Sequence, residues 1–265
     1  MSPPRVNPAP ATRSVFDLAA AEYDAARPSY PAALFDELEQ RAGQLAGQVV
    51  LDWGAGTGIA SRQLAERGAA VISLDIGEQM LRRALARSPR SACVLADGNR
   101  MPICSASVDL VTFAQSWHWF DHRVATAEAA RVLKPGGHWA AWWNRARAGG
   151  EPWFDEYQDL VASSCPGYTW QRLRDEHMTP DWTDELVAAE AVVEPVATAV
   201  VPWTRHVSAA SWITDERSKS YFIELDPSTR ESVLDQEAAI IAGRFPDGQM
   251  SIEYTTTLLL ARKAG

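Results

Sequence analysis

Cysteine is scarce in this chain of 265 residues: Cys93, Cys104 and Cys165 are an odd number, without paired or metal-type spacing. That excludes a disulfide-stapled scaffold and suits a reducing compartment, where free thiols are ordinary. No apolar run reaches membrane-spanning length, and the first residues lack a basic start followed by an apolar segment. A soluble, cytoplasmic protein with no membrane partner is the expectation. Positive charge is also short, with 25 Lys and Arg against 34 Asp and Glu, a formal net charge of −9. The basic residues are scattered, whereas a nucleic-acid groove needs a basic face, so no nucleic-acid partner is expected. Repeats are absent.

What is present is enough apolar material, 46% of residues, to bury a full core. Residues 1–13 hold Pro3, Pro4, Pro8 and Pro10 with little apolar content and read as a disordered tail. The remainder, 14–265, reads as one domain. Its first part, 14–46, is a helical cap: Ser14 can cap a first helix, Arg27-Pro28-Ser29-Tyr30-Pro31 breaks it, and a second runs over Ala32–Ala46.

From residue 47 to 144 short apolar strands alternate with amphipathic helices. Strands are expected at Val49–Asp52, Ala70–Asp75, Ala92–Ala96, Val108–Ala114 and His138–Trp143, with helices at Ile59–Arg67, Glu78–Arg87 and Val124–Leu133. Such a pattern predicts an α/β fold with a doubly wound, mostly parallel sheet. Residues 145–190, broken by Gly149-Gly150, Pro152, Pro166-Gly167 and Pro180, read as a lid insertion. Residues 191–265 carry the last strands, Val192–Trp203 and Ser251–Arg262, with two helical pieces between them over Ser208–Ala242.

Three acids, Asp52, Asp75 and Asp97, stand just after successive strands. Ligands of an open parallel sheet bind outside the carboxyl ends of its strands, so the three are expected to converge on one crevice. Asp75 is placed to accept both hydroxyls of a ribose. Glycine turns also open dinucleotide-binding domains, but that fingerprint needs a third glycine where this chain has Ile59. The turn is instead Gly54-Ala55-Gly56-Thr57-Gly58 with Asp52 two residues ahead. A carboxylate there repels a pyrophosphate and suits a ligand bearing an ammonium and a sulfonium.

With these motifs in order the chain resembles the class I S-adenosylmethionine-dependent methyltransferases, in the small-molecule branch that includes trans-aconitate methyltransferase-like proteins. The resemblance covers most of the chain. It is carried by Asp52–Gly58, Leu74–Leu81, Ala96-Asp97-Gly98 with Met101-Pro102, Ser107–Val111 with Gln115–Asp121, Arg131–Gly137, Tyr23-Asp24 and Arg27–Pro31. It implies a Rossmann-like fold with a seven-stranded sheet, S-adenosyl-L-methionine as cofactor and S-adenosyl-L-homocysteine as product. It also implies roles. Asp52 faces the cofactor's amino group, and Gly54, Ala55 and Gly56 approach its methionine part. Asp75 takes the ribose hydroxyls, and Ile76 and Met80 flank the adenine. Asp97 accepts from the adenine amino group beside the Gly98 backbone donor. Gln115 lies near the sulfonium, and Tyr23 closes the site. Trp53 stands where the family has an aliphatic residue, either a packing change or a group that crowds the methionine end.

His118 is the candidate catalytic base, able to take a proton from a hydroxyl or amine acceptor; the alternative is a histidine bonded to backbone between two tryptophans. His118, Asp121 and His122 lack further ligands, and no metal is expected. Of the 11 tryptophans, Trp117, Trp119, Trp139, Trp142 and Trp143 cluster late in the sheet, as core or as pocket lining. Asp17, Asp24, Arg27 and Arg147 are possible substrate contacts or solvated charges, and Glu128 and Arg131 read as an exposed pair. The acidic, aromatic-rich composition favours a neutral or cationic small-molecule acceptor with apolar bulk. The expected reaction is methyl transfer to an O, N or C nucleophile. The alternatives are elimination or cyclisation on the same fold, or a non-enzymatic cofactor-binding subunit. Self-association and a partner subunit are both left open.

Overall fold

A computed structural model describes residues 27–88, 91–98, 101–166, 168 and 197–263. The expected tail, the first helix with Asp17, Tyr23 and Asp24, and much of the expected lid lie outside these residues.

Helix α1 (Ala32–Ala42) starts after Pro31 and stops short of the expected Ala46 because Gly43 turns the chain at φ 85°. Strand β1 (Val49–Trp53), α2 (Ile59–Glu66), β2 (Ala70–Asp75), α3 (Glu78–Arg87), β3 (Ala92–Leu95) and β4 (Val108–Ala114) follow the alternation of the sequence. A 3-10 turn (Trp117–Trp119) leads into α4 (His122–Val132) and β5 (Leu133–Ala146). Then come α5 (Pro152–Ser164), β6 (Ala197–Ser208), α6 (Ala209–Arg217), α7 (Ser220–Ile223), α8 (Pro227–Arg244) and β7 (Gln249–Arg262).

Among the described residues the strands form one seven-stranded sheet in the order β3-β2-β1-β4-β5-β7-β6. Strands β1 to β5 pair in parallel, and β7 runs antiparallel between β5 and β6. The order reverses between β1 and β4, which sets the crevice at their carboxyl ends. Alternation along the strands fills two layers. Val50, Leu110, Ala140 and Trp142 pack with Leu34, Phe35 and Leu38 of α1 and Leu64 of α2. Leu51, Val111, Phe113 and Trp139 pack with Ala125, Ala129 and Val132 of α4.

Three expected boundaries move. Helix α4 begins earlier than Val124 because the Asp121 carboxylate caps it, accepting from the N–H groups of Arg123 and Val124 at 3.0 and 3.2 Å. Strand β5 absorbs the Lys134-Pro135-Gly136-Gly137 turn, with an irregularity where β4 pairs between Val108 and Leu110. Strand β6 runs past the expected Trp203, pairing with β7 from Ala197 to Ser208, while residues 192–196 lie outside the described residues; Ser208 then caps α6, its hydroxyl accepting from Ser211 N–H at 3.1 Å.

The last strands outrun the parallel sheet. Ala114, the end of β4, is level with Trp142, so Trp143–Ala146 continue with β7 alone. On this extension α5, α6 and α8 build a third core of Trp153, Tyr157, Val161, Trp212, Leu234 and Ile241 against Met250, Ile252 and Tyr254. It forms a cap beyond the carboxyl end of the sheet. Its interior carries charge: Arg205 donates to Asp215 at 2.8 Å, and Arg27 lies 3.3 Å from the other Asp215 oxygen. Glu216 accepts from Lys219 and Tyr221.

Candidate functional site

The chain leaves β1 through Gly54, at φ 75°, and the N–H groups of Gly54 and Ala55 both donate to the Leu74 carbonyl of β2, at 2.8 and 3.0 Å. A Cβ at Gly54 would come within 2.6 Å of the Ser116 Cβ, so only glycine lets the turn lie against the loop after β4. Ser116 Oγ ties that loop to β1 by donating to the Trp53 carbonyl at 2.6 Å. The Asp75 carboxylate accepts from Gly56 N–H and from Gly77 N–H, each at 2.8 Å. Two backbone donors fix the carboxylate in orientation, and carboxylate oxygens accept more than one donor each, a ribose hydroxyl being of the right kind. At Gly56 an added Cβ would meet nothing within 4 Å. The turn therefore faces open space beside Asp75.

Asp52 differs from its expected role. It is fully buried, and its carboxylate accepts from Ser61 Oγ at 2.5 Å and from Thr112 Oγ1 at 3.1 Å, with Ser73 Oγ donating to Ser61 Oγ at 2.8 Å. Burial raises its pKa to about 6, with the hydroxyl bonds opposing and the Asp75 charge adding to the rise. The carboxylate faces inward because hydroxyls from α2 and β4 satisfy it there, and it locks β1, β4 and α2 together behind the turn.

Trp53 is core packing: it is fully buried, with ring centroids 5.0 Å from Phe113 and 5.1 Å from Phe120. Gly98 lies directly over it, and a Cβ there would fall 2.1 Å from the indole Nε1. Asp97 is exposed at the mouth of the crevice. Met80, expected beside an adenine, is buried; the open apolar surface at the ends of β2 and β3 belongs to Ile76, 46% exposed, and Leu95, 56% exposed and level with Asp75.

At the end of β4, Gln115 is held at φ 59° while its N–H donates to the Trp142 carbonyl at 2.9 Å. A non-glycine residue in the left-handed region is strained, and such positions concentrate at functional sites. Three residues on, His118 is exposed. Its ring centroid lies 4.5 Å from that of Trp119, and its Nδ1 accepts from Trp143 Nε1 at 3.3 Å. The tryptophan cluster thus divides: Trp117, Trp139 and Trp142 fill the core, and the half-buried Trp119 and Trp143 hold His118. Asp121 is occupied as the α4 cap, and His122 stacks on Trp117 with centroids 4.7 Å apart.

A family model described as "Methyltransferase domain" matches residues 51–141, the segment that builds this crevice. Over 232 residues the chain is 32% identical to the uncharacterized methyltransferase Rv3342 of Mycobacterium tuberculosis, covering 86% of this chain and 85% of the relative. The chain belongs to the class I S-adenosylmethionine-dependent methyltransferases. The structure of a protein from Anaeromyxobacter dehalogenans described as a type II methyltransferase shares the fold, with a TM-score of 0.61, 24% identity and coverage of 90% and 97% of the two chains. A malonyl-[acyl-carrier protein] O-methyltransferase of Hamiltonella defensa is 36% identical over 132 residues, 48% of this chain and 49% of that one.

This methyltransferase uses S-adenosylmethionine, and its crevice fits that group: an oriented acid, a turn facing open space, and apolar surface at Ile76 and Leu95. Sequence reasoning missed Leu95, which nothing but its strand register places beside Asp75. It also read Glu128 and Arg131 as an exposed pair. The Arg131 guanidinium in fact bonds Glu128 and donates to the carbonyls of Ile103 at 2.8 Å and Met101 at 3.3 Å, pinning the loop before β4 to α4. On β5, Asn144 Oδ1 accepts from Thr256 Oγ1 at 2.6 Å, and that hydroxyl accepts from Trp203 Nε1 at 2.9 Å, a relay that ties β5, β7 and β6 where the cap begins.

Proposed function

We propose that this methyltransferase methylates an oxygen, nitrogen or carbon nucleophile of a small molecule. The observation that carries the reading is the placement of one exposed polar side chain, His118, between Trp119 and Trp143 at the carboxyl end of β4. It stands across the switch point from the Asp75 turn and beneath the extension that bears the cap. When bound, S-adenosylmethionine supplies an electrophilic methyl carbon on its sulfonium. The chain's own part is to hold and exclude. Asp75 takes the ribose hydroxyls, Ile76 and Leu95 line the adenine, Asp97 accepts from its amino group, and Gly98 offers a backbone donor. The backbone of Gly54, Ala55 and Gly56 receives the methionine part, with Gln115 beside the sulfonium and Tyr23 closing the site. Met80 supports this wall from inside α3, and Asp52 from behind β1.

Aligning donor and acceptor while excluding water lowers a barrier by about 7–11 kcal/mol in favourable cases. The acceptor of the malonyl-[acyl-carrier protein] enzyme is not carried over, since the match spans only about half of each chain. Incubation with methyl-labelled S-adenosylmethionine and a panel of small acceptors tests the reading, with label expected in a product and S-adenosylhomocysteine formed. Product formed while all label stays on the cofactor overturns it. Asp75→Ala is expected to weaken cofactor binding by roughly 10- to 100-fold, the loss of charge-assisted hydrogen bonds.

A further inference from the structure

The turn after β4 is seated against the cofactor turn on both sides of His118. Two residues before it, Ser116 Oγ donates to the Trp53 carbonyl at 2.6 Å; two residues after it, Phe120 Cζ lies 3.5 Å from where a Cβ would stand on Gly54. His118 itself is exposed, and Trp143, the first β5 residue beyond the level of Ala114, donates from its indole Nε1 to His118 Nδ1 at 3.3 Å. An indole nitrogen only donates, so Nδ1 accepts and carries no proton. A cationic ring would turn a second N–H toward that donor, so the contact belongs to the neutral imidazole with its proton on Nε2. Burial also lowers the His118 pKa, to about 4, with the His122 charge adding to the effect. Solvent at this exposed residue tempers that depression, and at pH 7 the ring is mainly neutral either way.

The one basic lone pair of that ring is thus taken by Trp143, and what His118 offers a bound acceptor is an N–H. This corrects the catalytic base expected from the sequence, which needs a ring nitrogen free to take a proton. We infer that His118 is a hydrogen-bond donor to the methyl acceptor, and that the acceptor is an anion with its charge spread over two oxygens, ionised before it binds. This role rests on the acceptor-methylation reading above and narrows it. A hydroxyl or a carbon acid needs a base to remove its proton, and His118 has no lone pair for the task. An amine has a single lone pair, and a donor that held it would block the attack. A two-oxygen anion is held and reactive at once: one oxygen accepts from Nε2–H while the other is free to attack. Carboxylates and the enolates of acidic β-diketones share this chemistry. The attacking oxygen forms the bond to the methyl carbon, the carbon–sulfur bond breaks with its electron pair left on sulfur, and no proton moves. Anion and sulfonium become a neutral product and a neutral thioether. Such an acceptor differs from the neutral or cationic one favoured by composition, because net charge belongs to the whole surface and a hydrogen-bond donor to a single ring.

The test has two parts, both on the full chain. Ring-nitrogen NMR of His118, assigned with His118→Gln, is expected to show the proton on Nε2, and Trp143→Phe is expected to mix the two tautomers; a proton on Nδ1 overturns the donor role. In parallel, methyl-labelled S-adenosylmethionine is offered with benzoate and aliphatic carboxylates in one arm, with dimedone as the β-diketone in a second, and with alcohols and amines in a third. Label is expected in an ester or an enol ether, and the arm that takes it names the anion. His118→Ala is expected to lower kcat/KM for that acceptor by roughly 10- to 100-fold, as for a lost hydrogen bond to a charged group, with S-adenosylhomocysteine affinity unchanged. His118→Gln, which keeps an N–H at the same reach, is expected to recover most of that loss. A glutamine variant as slow as the alanine one marks a base and overturns the inference, as does label found in alcohols or amines alone. Label in no acceptor would overturn the proposed function, while a ring proton on Nε2 would leave the donor role standing.

Discussion

Asp52 shows how much a single orientation decides. Its carboxyl holds a proton more tightly in the folded chain, to about pH 6, than the ordinary value of 3.8. The folded state therefore binds more protons than the unfolded one over that interval, and stability falls as pH rises through it, by at most ~3 kcal/mol for about two units. Asp52→Asn keeps an acceptor oxygen for one of the two hydroxyls, turns an NH2 donor toward the other, which can accept from it, and removes the ionisation. It is expected to flatten the pH dependence and to be no less stable than wild type at about pH 7.5, as read from urea unfolding at both ends of the interval. An unchanged pH slope would sink this account. Gly98 and Trp53 form a second residue-scale pair. Gly98→Ala is expected to weaken cofactor binding, because overpacking of ~1–3 kcal/mol displaces the loop. Trp53→Leu in the same chain is expected to recover part of that loss, a coupling that two independent sites would not show. The glycines of the turn and Asp75 were legible in the sequence, since a turn and the acid that ends a strand are local features. The inward face of Asp52, the burial of Met80 and the opening of Leu95 were not, because each is settled by residues on other elements.

At the scale of elements, α4 controls what precedes it. Asp121→Ala is expected to cost about 1 kcal/mol, and Asp121→Ser to restore most of it, both measured by thermal unfolding. The helix starts directly after the 3-10 turn that carries His118, so the cap also anchors that turn. Arg131 works from the other end of the helix through carbonyls of the loop before β4. A lysine there lacks the planar fork, so Arg131→Lys is expected to lower cofactor affinity; unchanged affinity would show that the loop holds without it. The strand–helix alternation was readable because apolar period is intrinsic to a segment. The extension of β6 to Ser208 and the length of β5 were not, because an antiparallel strand extends as far as its partner pairs, and that partner, β7, lies more than a hundred residues beyond β5.

The described residues form a mostly parallel sheet with a cap built on its overrunning last strands, and the cap keeps carboxylates inside. Glu237 is fully buried, and neither oxygen has a hydrogen-bond partner among the described residues. Burial and the nearby Glu216 charge push its pKa up to about 9 from 4.5, with Lys219 opposing. It is neutral at pH 7. Unfolding releases its proton, so its effect on stability turns increasingly unfavourable from the ordinary value up to about pH 9 and is constant above that. Glu237→Gln is expected to raise the unfolding midpoint at about pH 8 and to change it little near pH 5. A lower midpoint at the alkaline end would mean that a charged Glu237 supports the cap.

By itself the sequence determined the strand–turn–helix order, the glycine turn with its acids, and hence the fold and the cofactor. Those follow from short-range rules of backbone freedom, side-chain period and charge. Only the tertiary structure decided which carboxylates face the crevice and which face the core, and which nitrogen of His118 carries the proton. It alone brought Trp143 to that ring. The physical reason is the same in each case: burial and hydrogen-bond partners set a side chain's direction and protonation, and here the partners come from strands and helices far apart in the chain.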